Sequence, residues 1–173
     1  MKKEVNVWDY AGHIMQNIHK GCLLTTKADG QVDTMVIGWG HIGVEWGRPI
    51  FAVYVRKSRH TKTLLDKNGE FTVNVALSDP DKNIISVCGT KSGRDLDKIA
   101  HLGLTLEESD TVSVPGIREM PLTLECKVIY KQDQDKNAID PECDARFYAK
   151  GTPNEDDYHT VYYGQITKAY ILE

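Results

Sequence analysis

The chain has 173 residues, 40% hydrophobic and 27% charged, with a formal net charge of −4; this is an ordinary globular composition, long enough for one core without disulfide or metal staples. An isoelectric point near 5.9 argues against the broad basic face of a nucleic-acid binder. No apolar run approaches membrane-spanning length, and Met1-Lys2-Lys3 is followed by Glu4, Asn6 and Asp9 rather than an apolar leader, so one cytoplasmic domain over 1–173 is expected.

Asp9 reads as the cap of a short helix with Ile14 and Ile18 on its apolar face and Gly21 as its stop. Cys22 to Lys27 and Gln31 to Gly38 read as a hairpin turning at Ala28-Asp29-Gly30. Trp39 to Gly47 reads as an aromatic, glycine-rich loop, suited to a flat ligand because indole covers an aromatic ring and glycine admits close backbone approach. Strands are expected at Ile50 to Val55 and Glu70 to Ala76, joined by a short helix from Thr61 to Lys67.

Asp79-Pro80 is expected to open a helix ending at Gly89, and Ser92, with Asp95 three residues on, to cap another that runs to Gly103. Leu122 to Lys131 alternates Leu122, Leu124, Cys126, Val128 and Tyr130 with Thr123, Glu125, Lys127 and Ile129, the pattern of a strand with one buried face. Gln132 to Asp140 reads as a polar loop, and Tyr158 to Leu172 as one or two strands around Gly164. Hairpin-connected strands with short helices between them point to a mainly β, α+β fold: an antiparallel barrel with helical decoration. No Gly-x-Gly-x-x-Gly follows a strand and no Walker A ending occurs, which disfavours the doubly wound nucleotide folds.

Two short segments concentrate positive charge. Residues 56–62 (Arg56-Lys57-Ser58-Arg59-His60-Thr61-Lys62) hold four cations and no carboxylate, and residues 91–98 hold Lys91, Arg94 and Lys98 against Asp95 and Asp97. Guanidinium forks, hydroxyls and free backbone N–H groups together bind phosphate, and each segment is expected at a helix start, where the N–H groups point outward. Read as residues alone, the first is equally a solvated face with Thr61 as a simple cap.

Five runs carry a family resemblance: Asp33-Thr34-Met35-Val36-Ile37-Gly38-Trp39-Gly40, Trp46-Gly47-Arg48-Pro49, Val55-Arg56-Lys57-Ser58-Arg59-His60-Thr61, Phe71-Thr72-Val73-Asn74-Val75, and Cys88-Gly89-Thr90-Lys91-Ser92-Gly93-Arg94-Asp95-Leu96-Asp97-Lys98. In order and spacing they resemble the flavin reductase-like, FMN-binding split-barrel family, in its flavoredoxin-type branch. The resemblance implies a homodimer of split β-barrels with FMN near the subunit interface. It places Arg56, Ser58, His60 and Thr61 around the phosphate, and Ser92, Gly93, Arg94 and Lys98 opposite them. Met35 and Val36 would line the ring system through their backbone, with Trp39 packed beside it. Asp33 and Val36 depart from the family's usual Asn and Thr; a carboxylate near an electron-rich reduced flavin either lowers its potential or points elsewhere.

The implied activity is an FMN-dependent oxidoreductase moving electrons from NADH or NADPH to an acceptor. The alternatives are an FMN electron carrier between redox protein partners, lacking a nicotinamide site, and a non-redox binder of another phosphorylated metabolite. No catalytic residue is assigned, because the flavin would carry the chemistry. Cys22, Cys88, Cys126 and Cys143 lack metal-ligand spacing and are expected as packing thiols; His159 could shape a nicotinamide or proton path but reads more simply as an incidental surface histidine.

Overall fold

The computed structural model describes residues 1–173. In chain order its elements are β1 (Lys2–Glu4), α1 (Val7–Asn17, extended by a 3-10 turn, Ile18–Lys20), β2 (Cys22–Ala28), β3 (Gln31–Ile37), β4 (Gly40–Glu45), β5 (Arg48–Arg56), α2 (His60–Asn68) and β6 (Glu70–Val75). There follow α3 (Lys82–Thr90), α4 (Lys98–Leu102), β7 (Leu106–Glu107), β8 (Gly116–Ile117), β9 (Leu122–Asp133), a 3-10 turn (Lys136–Ala138), α5 (Pro141–Phe147) and β10 (His159–Leu172). No helix is long and apolar enough to cross a membrane.

One antiparallel sheet runs in the order β3-β2-β6-β9-β10-β5-β4, with β1 paired to the far end of β10 and β7-β8 forming a separate ribbon. The sheet curls around a core of Leu24, Phe51, Val53, Phe71, Val73, Leu124, Tyr162 and Ile166, to which α1 adds Val7, Ile14 and Ile18. Because β3 and β4 end the order without pairing to each other, the barrel stays split. Register shifts on β10 flank Gly164. A Cβ at Gly164 would stand 2.3 Å from Phe71 Cζ, so this glycine lets the strand bend over the ring.

A second apolar layer, Leu23, Ala76, Ile84, Cys88, Leu104, Ile117 and Met120, lies between the sheet's other face and α3. The stretch from Asp110 to Ile117 lies over the Thr123 and Glu125 face of β9, which is why β9 is buried on both faces from Leu122 to Cys126, where alternation alone predicts one. The polar side chains there are satisfied: the Glu125 carboxylate accepts the Asp110 and Thr111 N–H groups, and Asn74 Nδ2 donates to Thr123 Oγ1 at 2.8 Å.

Four local expectations are corrected. Asn6, not Asp9, caps α1 through the Trp8 N–H, and Asp81, not Asp79, caps α3, whose Asn83 N–H it meets at 2.7 Å; Pro80 stays outside the helix and Gly89 lies within it. Trp39 to Gly47 is mostly strand β4, closed by a two-residue turn in which Trp46 and Gly47 both have positive φ (49° and 70°). That turn normally selects Asn or Gly at its first position, so Trp46 concealed it. The fourth is the cap assigned to Ser92: its hydroxyl accepts the Arg94 N–H within a turn, while α4 starts later, at Lys98, under an Asp97 cap.

Candidate functional site

Three elements converge on a cleft of about 190 Å³. β3, paired only to β2, offers Asp33, Met35 and Val36 along its free edge; the β5–α2 junction brings Ser58, Arg59, His60 and Thr61; and the stretch after α3 brings Lys91, Ser92, Gly93 and Arg94, with Lys98 beneath. Ten of the twelve residues that the sequence suggested therefore meet. The other two, Trp39 and Arg56, line an adjoining cavity of about 160 Å³ that shares Met35, Val36 and Arg59 with the cleft.

The two cationic segments meet helices differently: residues 56–62 lead directly into α2, whereas residues 91–98 reach a helix only at their last residue, Lys98, the start of the short α4. α2 leaves the N–H groups of His60 and Thr61 without an intrachain acceptor, the ordinary anion-attracting end of a helix. The second segment follows the C-terminus of α3 and contributes cationic side chains rather than a helix dipole. Arg94 Nη1 donates to the Ser58 carbonyl at 2.9 Å, holding the two segments together.

The Asp33 carboxylate accepts from Thr61 Oγ1 at 2.7 Å and pairs with Lys98 Nζ at 3.0 Å. It is turned onto a cation, which compensates its charge. Gly93 makes room for it, since a Cβ there would fall 2.4 Å from Asp33 Oδ1. His60 Nε2 is buried and has no partner, an open polar atom at the cleft wall. Cys88 is buried at the cleft floor, and burial pushes its thiol up to about 11, so it packs as a neutral thiol.

The segment from Pro141 to Asp157 covers one side, fastened by residues that the sequence assigned to a ligand. Arg56 donates to the Asp157 and Phe147 carbonyls at 3.0 and 3.4 Å and lies over the Tyr148 ring. Ser58 donates its N–H and hydroxyl to the Asp157 carboxylate at 2.9 and 2.6 Å. Trp39 meets the Phe147 ring edge-on at 4.9 Å and the His159 ring at 4.7 Å.

His159 is buried rather than superficial. Desolvation, followed by the nearby Arg56 guanidinium, lowers it to about 4, so it is neutral near pH 7. Sequence reasoning placed this histidine at the surface and missed Tyr148 and Asp157 altogether. The available signal was Asp140-Pro141, a cap followed by a first-turn proline, whose carboxylate does accept the Glu142 and Cys143 N–H groups. Arg59 was visible in the charge run but not singled out.

Residues 15–173 match the family described as Flavin reductase like domain. The chain is 39% identical over 80 residues to an uncharacterized protein of Archaeoglobus fulgidus, a stretch covering 46% of this chain and 45% of that protein, so less than half of that relative's length is matched. Among solved structures it is similar to the flavoredoxin of Desulfovibrio vulgaris (Miyazaki F), at 24% identity and TM-score 0.65 over 88% of this chain and 69% of that one. A flavoredoxin from Methanosarcina acetivorans gives 25% identity and TM-score 0.63 over 88% and 68%.

Proposed function

The chain belongs to the flavin reductase-like family, and from that premise we propose that it binds FMN and works as an oxidoreductase, taking electrons from NADH or NADPH and passing them to an acceptor. The carrying observation is the convergence of the α2 N-terminus, the free edge of β3 and the Lys91–Lys98 stretch on one cleft that opens into an aromatic cavity. The residues fit the cofactor: His60 Nε2 is a buried polar atom lacking a partner, and the His60 and Thr61 N–H groups are free for an anion.

In this reading Arg59, His60, Lys91 and Arg94 hold the phosphate, with Lys98 kept in place by Asp33. The backbone of Met35 and Val36 and the Trp39 indole orient the ring, and the segment from Pro141 to Asp157 keeps water from it. Bound flavin supplies the hydride and electron chemistry; the chain supplies binding, orientation and exclusion of solvent. The outer aromatic row of Trp46, Tyr130 and Tyr163 supports association of two copies, with Trp46 itself 63% exposed.

The test is the visible spectrum of the purified chain after incubation with FMN, followed by anaerobic addition of NADH or NADPH. Bleaching of bound flavin by either nicotinamide is expected. A chain that takes up no flavin overturns the proposal; bound flavin that neither nicotinamide reduces leaves an electron carrier served by a redox protein partner.

A further inference from the structure

The hydrogen bonds around His159 determine where its ring proton sits. Its backbone N–H donates to Gln134 Oε1 at 3.0 Å, which fixes the amide orientation, because only the oxygen can accept. The Tyr148 hydroxyl lies 3.0 Å from the same Oε1 and has a single hydrogen to give, so it donates there. Its oxygen must then accept from His159 Nδ1, 2.6 Å away. Nδ1 carries the hydrogen and Nε2 the lone pair. Desolvation raises the Tyr148 phenol and lowers the imidazole, so both keep these neutral forms around pH 7.

We infer that Tyr148 and Gln134 are positioning residues that hold His159 as a hydrogen-bond acceptor, Nε2 bare, at the aromatic end of the cleft, where it receives an N–H of a planar heterocycle. His159 lines the cavity with Trp39, Tyr54 and Arg56, and its Nε2 has no partner within the chain. A neutral imidazole in this form cannot donate to a carbonyl, so it selects ring systems that present N–H toward it. The identity of that ring rests on the FMN reading above; the tautomer does not.

The experiment is long-range proton–nitrogen correlation NMR on the full chain with ¹⁵N-labelled histidine, first without ligand. His159 is expected to show a protonated Nδ1 and an unprotonated Nε2; a protonated Nε2 overturns the inference. Gln134→Leu removes the acceptor of the Tyr148 hydrogen, so the hydroxyl should turn to donate to Nδ1 and the ring proton should move to Nε2. A purely structural role for Gln134 would leave the pattern unchanged, and that result overturns the positioning claim. Tyr148→Phe gives a second reading, with mixed tautomers expected.

FMN is then titrated, with binding followed by flavin fluorescence. Displacement of the His159 Nε2 resonance to lower frequency supports the acceptor role, and binding without displacement overturns it while sparing the FMN reading. Absence of FMN binding overturns the proposed function and the acceptor role with it; the positioning claim is then decided by the ligand-free spectra alone.

Discussion

Asp33 and Lys98 form an ion pair of 3.0 Å in which the side chains are only 4% and 2% exposed. With Thr61 also donating to the carboxylate, this pair ties β3 to both cationic segments. Removing one partner of a buried pair strands the other charge, at a cost of about 3–5 kcal/mol. Asp33→Ala should lose stability of that order in urea denaturation. Asp33→Asn retains an acceptor for Lys98 and Thr61 and should lose much less. Without the carboxylate the cleft is more positive by one charge, and about 1–2 kcal/mol less repulsion toward a phosphate should tighten FMN binding roughly tenfold. Unchanged affinity in a folded Asp33→Asn protein would separate Lys98 from the ligand.

Gly93→Ala pushes a methyl into the same carboxylate. Overpacking of this kind costs about 1–3 kcal/mol, read as a lowered thermal midpoint. In an Asp33→Ala background the obstruction is gone, so the Gly93→Ala increment should shrink toward zero. Equal increments in both backgrounds would show that the clash is relieved elsewhere.

Arg59 and Arg56 should part company. A charge-assisted hydrogen bond contributes about 1.5–3 kcal/mol, so Arg59→Ala should weaken FMN binding by roughly one to two decades with little change in stability. Arg56 is engaged with the Phe147 and Asp157 carbonyls. Arg56→Ala should therefore speed proteolysis and hydrogen exchange between Pro141 and Asp157, with a smaller effect on affinity. The reverse ranking would place Arg56 at the phosphate.

His159 makes stability depend on acidity. Its pKa is lowered to about 4 from 6.5, so between those values the unfolded chain binds the extra proton and stability rises with pH. Its contribution is complete above about pH 6.5 and is lost as pH falls toward 4, by at most about 3 kcal/mol. Urea midpoints measured from pH 7 to pH 4 should fall more steeply for the native chain than for His159→Gln; parallel curves would contradict a buried neutral ring.

Of the four cysteines only Cys143 is exposed. Iodoacetamide should add a single label to the native chain. Cys88, with its raised pKa of about 11, should react only on unfolding, and Cys88→Ser should keep its turnover while losing some stability. Rapid native labelling of Cys88 would indicate a reactive thiol.

The barrel and most of the cleft were legible because their signals are local: alternation along Leu122 to Cys126, the hairpin around Asp29-Gly30, and dense charge in residues 56–62. What escaped depends on partners far along the chain. Asp33 reads as an awkward carboxylate until Lys98 is seen against it, 65 residues away. Arg56 reads as a ligand cation until Phe147 and Asp157 supply their carbonyls, and no periodicity announces that Tyr148 and Gln134 will bracket His159.

β10 emerges after every other strand of this chain, yet it lies inside the sheet, between β9 and β5. β3-β2-β6-β9 can pair progressively as the chain lengthens, but β5 and its β4 hairpin have no place in the sheet until residues 159–165 arrive. The register that sets His159 opposite Arg56 is thus formed by contacts of long sequence separation, which makes assembly slow. Docking of β10 and completion of the aromatic cavity that His159 lines should be the same event, and it is β10 that brings β5, with Phe51, Val53 and Val55, into the sheet around the core.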